Sequence, residues 1–316
     1  MPKVSVIVPV YNAGKALIPC LESIAGQTLK DIEVLLILDC PTDGSDKVAK
    51  EFSAKDSRFV VIENESNLHV GKSRNRGLEH ATGEYIGFCD HDDTMRADML
   101  EIMYGAAKEY GVKFVSSRFY PSDSESIAIT LKSVDTEFYS LLQINPNNTV
   151  WSHIYEAKFL KQNNIKFVDA RNFYAEDLLF NVDVLATCLR QSVSQFADVN
   201  LRLYYHDTYG TGGTYEYRKM DNMLNTCDYI CSVIDELNYT DLKYNMPAVE
   251  AFAYILYRSI RIEIKTLGLA KGFRRLYRLR DFPRVCKVLK SHKALYVPRL
   301  TPPKNLFLLL LKCLCR

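Results

Sequence analysis

Val4-Ser5-Val6-Ile7-Val8-Pro9-Val10 opens the chain with a run that is almost wholly apolar and rich in β-branched residues. A strand covered on both faces loses its polar alternation, so this run reads as a central parallel strand. A helix follows, with Leu17, Leu21 and Ile24 on one stripe and Pro19 near its first turn. Ile32-Glu33-Val34-Leu35-Leu36-Ile37-Leu38 is a second buried strand, ending at Asp39. Asp43 can cap the next helix, which bears Val48 and Phe52. Phe59-Val60-Val61-Ile62 is a third strand, Gly71 to Ala81 a helix, and Glu84-Tyr85-Ile86-Gly87-Phe88-Cys89 a fourth strand. Asp98 to Tyr110 is helical, with Leu100, Met103 and Ala107 inward, and Val112 to Phe119 is again strand-like.

Strands alternating with helices at this spacing predict an α/β fold with a mostly parallel sheet. Ligands of such sheets bind beyond the carboxyl ends of the strands. That rule brings Asp39 and Asp90 to one crevice although they are far apart in sequence. From about Tyr120 the alternation weakens. Asn145-Pro146-Asn147-Asn148 is a turn-rich break, Glu156 to Asn163 reads as a helix, Thr208 to Thr214 as a glycine-rich loop, and Tyr217 onward as helices.

The fourth strand runs into Asp90-His91-Asp92-Asp93, three carboxylates in four positions. Crowded carboxylates repel one another unless a cation or hydrogen-bond donors offset the charge. A divalent metal serving a phosphate-bearing ligand is the simplest such cation. A solvated turn that caps the next helix is the competing reading.

Charge is unevenly distributed. Residues 271 to 316 hold 13 Lys/Arg and one acid, Asp281, whereas the rest of the chain carries 27 basic and 37 acidic residues. An acidic body with a basic tail points to an anionic surface as partner. The nine cysteines form no paired framework and no CxxC, which suits a reducing compartment. The apolar start is too short and strand-like for a signal peptide, and no run approaches the ~20 apolar residues of a bilayer span.

Four stretches together resemble family 2 glycosyltransferases with the GT-A nucleotide-binding fold. They are Val4 to Asn12, Asn67 with Gly71-Lys72-Ser73-Arg74-Asn75-Arg76-Gly77-Leu78, Ala81 to Asp93, and Glu176-Asp177-Leu178-Leu179-Phe180. The resemblance covers roughly Val4 to Tyr205. It implies a GT-A catalytic domain over 1–215 and a helical C-terminal extension over 216–316. It also implies that Pro9, Tyr11 and Asn12 line the base pocket, that Asp39 contacts base or ribose, and that Arg74 lies beside the diphosphate. Asp90 and Asp92 then form the metal and ribose signature, with Asp92 the direct metal ligand and Asp93 a helix-start residue. Asp177 is the implied catalytic base, with Glu176 beside it orienting a sugar.

The chain departs from the family at three points. Cys40 stands where the second acid after the second strand is usual, and His153 where a lysine is frequent. His206 follows the tyrosines where relatives often carry arginine, which makes it a candidate metal or phosphate ligand, or a loop histidine. The Gln-x-x-Arg-Trp box of processive polymerases is absent. Trp151 is a core residue or a sugar platform.

The residue types suit that chemistry in their own right. Hard oxygen ligands favour Mn2+ or Mg2+ over zinc. A cation at Asp92, with Arg74 as a fixed donor, can neutralise a departing nucleotide diphosphate. Asp177, against Leu178, Leu179 and Phe180, can take the acceptor's proton, and one displacement inverts C1. The expectation is therefore a metal-dependent inverting transferase using a nucleotide-diphosphate sugar, a UDP-sugar foremost, and a glycan or lipid-linked acceptor in surface-polysaccharide assembly. The basic tail would dock on the inner face of the cytoplasmic membrane, or else pack on the body as a helical subdomain. A nucleotidyltransferase and a catalytically silent nucleotide-sugar-binding scaffold are the alternatives. Nucleic acid is not an expected partner.

Overall fold

The structure, a computed structural model, describes residues 1–118, 126–142, 149–206, 220–237, 274–291 and short stretches between 248 and 315. The break at 145–148, the loop at 208–214 and much of the last 25 residues lie outside the described residues. The chain divides into two compact units. The first comprises Met1–Val134, Thr149–Phe167 and Val193–Gly212; the second comprises Asp135–Asn148, Val168–Ser192 and Gly213–Arg316.

The elements run β1 (Val4–Val10), α1 (Leu17–Ala25), β2 (Ile32–Leu38), α2 (Ser45–Lys55), β3 (Phe59–Glu63), α3 (His69–His80), β4 (Tyr85–Phe88), β5 (Thr94–Met95), α4 (Met99–Tyr110), β6 (Phe114–Arg118) and β7 (Ile129–Ser133). They continue through α5 (Val134–Leu142), β8 (His153–Glu156), α6 (Ala157–Gln162), α7 (Glu176–Arg190), β9 (Gln195–Arg202), β10 (Tyr204–Tyr205), α8 (Met220–Glu236) and α9 (Pro283–Ser291).

In the first unit eight strands form one sheet in the order β3-β2-β1-β4-β8-β6-β9-β7. β1 is buried along its whole length and pairs in parallel with β2 and β4, as its continuous apolar run predicts. β3 adds in parallel to β2. Gly77 lets α3 lie close on β1, because a Cβ there would run into the Ile7 side chain. Gly83 lies equally close to Ser5, whose hydroxyl accepts the Gly83 N–H at 2.7 Å. α4 stops at Gly111, whose left-handed φ of 62° is the usual way to end a helix.

The second half of the sheet is mixed. β8 runs antiparallel to both β4 and β6, and β7 antiparallel to β9. The strand pattern read from sequence misses β7, β8 and β9. β8 is only four residues long, and four of the five β7 residues are exposed, so neither has a long apolar run. β5 and β10 make a separate two-stranded antiparallel ribbon, pairing Tyr204 with Met95 and Tyr205 with Thr94.

In the second unit α7 is buried over most of its length, Leu178 to Val182 without a break. α8 shows two working faces. Asp221, Asp228 and Asp235, seven residues apart, share one face. They pair with Arg275 and Arg278 at 3.9 and 3.8 Å, with Arg284 at 3.6 Å and with Lys287 at 3.6 Å. Four basic residues of the tail are thus directed at α8, as the packed-subdomain alternative requires of this segment.

Candidate active site

The register of the parallel strands decides what meets at the sheet's carboxyl edge. Val10 is opposite Leu38 and Ile7 is opposite Phe88, so Tyr11-Asn12, Asp39 and the Asp90 cluster follow three adjacent strands. The Cys89 N–H donates to Ile7 O at 3.0 Å, and His91 Nδ1 lies 3.2 Å from Pro9 O.

Asp39 is buried and accepts from the Leu68 N–H at 2.7 Å, the His69 N–H at 2.9 Å and Asn64 Nδ2 at 2.8 Å. It therefore holds the turn that leads into α3. Asn12 has a left-handed φ of 48° and accepts from the Thr42 N–H at 2.8 Å. Cys40 is likewise left-handed, at φ 58°. Non-glycine residues in this region carry strain, and strain of this kind collects at ligand sites. Asp43 joins the same cluster, accepting from Gly14 N–H at 2.7 Å and Ser45 Oγ at 2.6 Å, and these bonds hold its carboxyl below the ordinary range against the opposing effect of burial. Tyr11 is exposed.

Arg74 is only 2% exposed, and its guanidinium meets Asp90 Oδ1 at 2.8 Å. The same group lies over the Phe167 ring at 5.2 Å. Asn75 fixes that ring's backbone by exchanging two 2.8 Å hydrogen bonds with Phe167. Arg74 therefore orients the Asp90 carboxylate. The Asp92 carboxylate is half-buried and has no hydrogen-bond or ion-pair partner among the described residues.

Asp93, read from sequence as a helix-start residue, is something else. It sits before β5, not at a helix start, and is 1% exposed. It accepts the Tyr204 O–H at 2.8 Å and lies 3.1 and 3.2 Å from His206 Nδ1. An ionised carboxylate only accepts, so it fixes the proton on Nδ1 and leaves the Nε2 lone pair as the available ligand. Trp151 stacks on Tyr204 at 4.3 Å and on His206 at 5.5 Å, holding both rings from one side. The Tyr204 oxygen also accepts the Asp90 N–H at 3.0 Å. Burial pushes the Tyr204 hydroxyl far above its ordinary range, so it stays a donor. The role of Asp93 could not be read from the cluster, because Tyr204 and His206 come more than 100 residues later.

His153 is buried in β8, shares a 3.1 Å hydrogen bond with Ser152 Oγ, and burial lowers its pKa to about 4. It is neutral at pH 7 and brings no charge to this position. Glu176 and Asp177 lie in the second unit and begin α7. Ala175 before them is left-handed, φ 57° and ψ 67°, and caps the helix without a side-chain bond.

Eight sequence-predicted site residues, Pro9, Tyr11, Asn12, Asp39, Arg74, Asp90, Asp92 and His206, belong to the first unit. The profile of the family described as "Glycosyl transferase family 2" matches residues 5–194, more than half of the chain. The chain belongs to this family. Its mostly parallel sheet flanked by helices is the GT-A fold of the first 349 residues of S. aureus TarS in complex with UDP-GlcNAc. TM-score with that structure is 0.70 at 20% identity, covering 91% of this chain and 83% of that one. The mannosyltransferase PcManGT from Pyrobaculum calidifontis, in complex with GDP-Man and Mn2+, gives a TM-score of 0.53 at 17% identity, covering 99% and 86%. Among curated relatives, glycosyltransferase GlyA of Streptococcus pneumoniae is 33% identical over 159 residues, half of this chain. The matched region spans only 22% of the length of GlyA.

Proposed function

We propose that this family 2 member is an inverting, metal-dependent glycosyltransferase. It takes a sugar from a nucleotide diphosphate donor, a UDP-sugar foremost, to a hydroxyl of a glycan or lipid-linked acceptor in surface-polysaccharide assembly. The observation that carries this reading is the open Asp92 carboxylate in the same unit as a His206 ring fixed by Asp93. One oxygen and one imidazole ligand, completed by donor phosphates and water, suit Mn2+ or Mg2+. Among the described residues no three His, Cys, Asp or Glu side chains form a metal cage, so the protein's share of such a site is small. The UDP-GlcNAc in TarS and the Mn2+ in PcManGT support the same donor chemistry. When bound, the cation offsets charge on the departing diphosphate.

The chain's own residues do the rest. Pro9, Tyr11 and Asn12 line the base pocket beside Asp39, and Asp90, oriented by Arg74, takes the ribose. The acceptor oxygen forms its bond to C1 as the C1–O bond to the diphosphate breaks, and the acceptor proton passes to the Asp177 carboxylate. Glu176 orients the sugar. A single displacement leaves C1 inverted. For the tail, exposed Arg274, Tyr277 and Lys290 combine cations with an aromatic, which suits an anionic lipid surface. No described helix is long and apolar enough to cross a membrane.

The test is thermal stabilisation and hydrolysis across a panel of nucleotide sugars with Mn2+. At least one UDP-sugar should stabilise the protein and be hydrolysed, and Asp177→Asn should abolish turnover while keeping donor binding. No response to any nucleotide diphosphate with Mn2+ sinks the reading. Loss of binding in Asp177→Asn reassigns that residue.

A further inference from the structure

α8 holds the turn that presents Glu176 and Asp177. Thr226 is fully buried, and its Oγ accepts the Tyr174 N–H at 2.9 Å and lies 2.8 Å from Tyr174 O. One helical turn before Thr226, Asn222 Nδ2 donates to Arg171 O at 3.0 Å, and the adjacent Asn225 donates through Nδ2 to Asn172 O at 2.9 Å. Phe173 meets Tyr229 edge-on at 5.9 Å. Residues 222, 225, 226 and 229 are spaced three and four apart, so one face of α8 grips four consecutive residues, Arg171 to Tyr174. The turn is tied internally as well, by the Asn172 and Phe173 N–H groups on Asp169 O at 2.9 and 3.2 Å.

The gripped segment ends at Ala175. An alanine in the left-handed region persists only where its surroundings over-determine it, and such residues cluster at functional sites. Here the over-determination is visible. Tyr174, the residue before Ala175, has both its N–H and its C=O against the Thr226 hydroxyl, which also lies 3.0 Å from Asn222 O, and the helix after it is anchored by buried Leu178, Leu179 and Phe180. The Ala175 carbonyl then accepts the Leu179 N–H at 3.3 Å, which starts the helix on which the acids sit.

We propose that Thr226, supported by Asn222 and Asn225, is a positioning residue for Asp177, and that this is what the first helix of the C-terminal region contributes to the reaction. The inference rests on Asp177 being the base. A relaxed turn would let the first turn of α7 pivot, and a displacement of about 1 Å at a reacting group can cost roughly 100-fold in rate.

Three variants of the full chain test it, assayed with the nucleotide sugar that the wild type hydrolyses fastest in Mn2+. Thr226→Val keeps the shape and removes the hydroxyl; kcat should fall about 10- to 100-fold with donor KM unchanged within about twofold. Thr226→Ser should restore kcat. Ala175→Gly relieves the left-handed strain, so its thermal midpoint should rise while its kcat falls. A merely structural role predicts a lower midpoint in Thr226→Val with kcat intact in both variants. Wild-type kcat in Thr226→Val and Ala175→Gly, with turnover lost in Asp177→Asn, overturns the proposal. So does a midpoint in Ala175→Gly that does not rise. Turnover retained in Asp177→Asn refutes instead the assignment of the base. Where Thr226→Val does not fold, Asn225→Ala, at the exposed end of the clamp, carries the same comparison.

Discussion

Replacing Asp93 by asparagine separates the support of His206 from the support of the fold. The carboxylate has two oxygens at work: Oδ2 takes the Tyr204 O–H at 2.8 Å, and both oxygens lie near His206 Nδ1, at 3.1 and 3.2 Å. Asparagine has nearly the same shape but one acceptor. With its oxygen toward Tyr204, its NH2 faces the Nδ1–H; flipped, it leaves the buried Tyr204 hydroxyl only the weak Cys89 Sγ acceptor at 3.7 Å. Either way one hydrogen bond to a charged group is lost, about 1.5–3 kcal/mol of stability. The metal effect is separate. A carboxylate behind an imidazole raises its basicity and holds its orientation, and such outer partners are worth about 10- to 100-fold in metal affinity. Trp151 still stacks on both rings, so the ring should stay in place and only its electronics and tautomer change. Mn2+ affinity in the presence of UDP, read by electron paramagnetic resonance, should fall by that factor. Tyr204→Phe removes the hydroxyl bonded to Asp93 and to the Asp90 N–H and keeps the contact between Asp93 and His206; it should cost stability and lower Mn2+ affinity less than Asp93→Asn does. A folded Asp93→Asn that binds Mn2+ as the wild type does, while His206→Ala does not, would refute the reasoning.

Three further outcomes are expected. His153 has a folded pKa lowered by burial to about 4, so its contribution is fully present above pH 6.5 and is lost as pH falls from 6.5 to 4, up to about 3 kcal/mol. Urea midpoints between pH 4 and 7 should show that slope, and His153→Phe should flatten it. Asp183 of α7 behaves in the opposite sense. Burial raises its pKa to about 6, with Glu236 adding to the rise and the Tyr229 hydrogen bond and Arg190 opposing it. The contribution of Asp183 is fully present below about pH 4 and is lost as pH rises through 6; Asp183→Asn should gain about 2 kcal/mol at pH 8, and an unchanged midpoint there refutes the assignment. For the tail, Arg274→Glu with Lys290→Glu leaves the four α8 ion pairs intact. It should weaken sedimentation with phosphatidylglycerol vesicles by about 2 kcal/mol, roughly 30-fold. Equal partitioning of variant and wild type sinks the docking idea.

Much of the nucleotide-binding half was legible because its signals are local. β1 and β2 announce themselves as nearly continuous apolar runs, broken only by Ser5 and Glu33, and the rule that ligands gather at carboxyl ends places Asp39 and Asp90 together from sequence alone. The later strands were not legible. β7 offers a single partly buried residue, and β8 enters the sheet between two antiparallel neighbours that no short window of sequence can reveal. Arg74 illustrates a middle case. Its place in the Gly71 to Gly77 motif marks it as important, but only packing shows it buried against Asp90 and Phe167.

By itself the sequence determined the fold class, the family and the edge of the sheet where the acids gather. Each of these is assembled from short stretches whose periodicity, propensity and motif residues can be read locally, although the stretches themselves lie far apart in the chain. Only the tertiary structure decided how the three acids divide their work: Asp90 to a buried arginine, Asp92 left open, Asp93 to Tyr204 and His206. The same holds for the clamp of α8 on the turn before Asp177. The physical reason is common to both. A carboxylate or a hydroxyl takes its role from the donor or acceptor opposite it, and here that partner is supplied by chain folded back from 16 to 114 residues away.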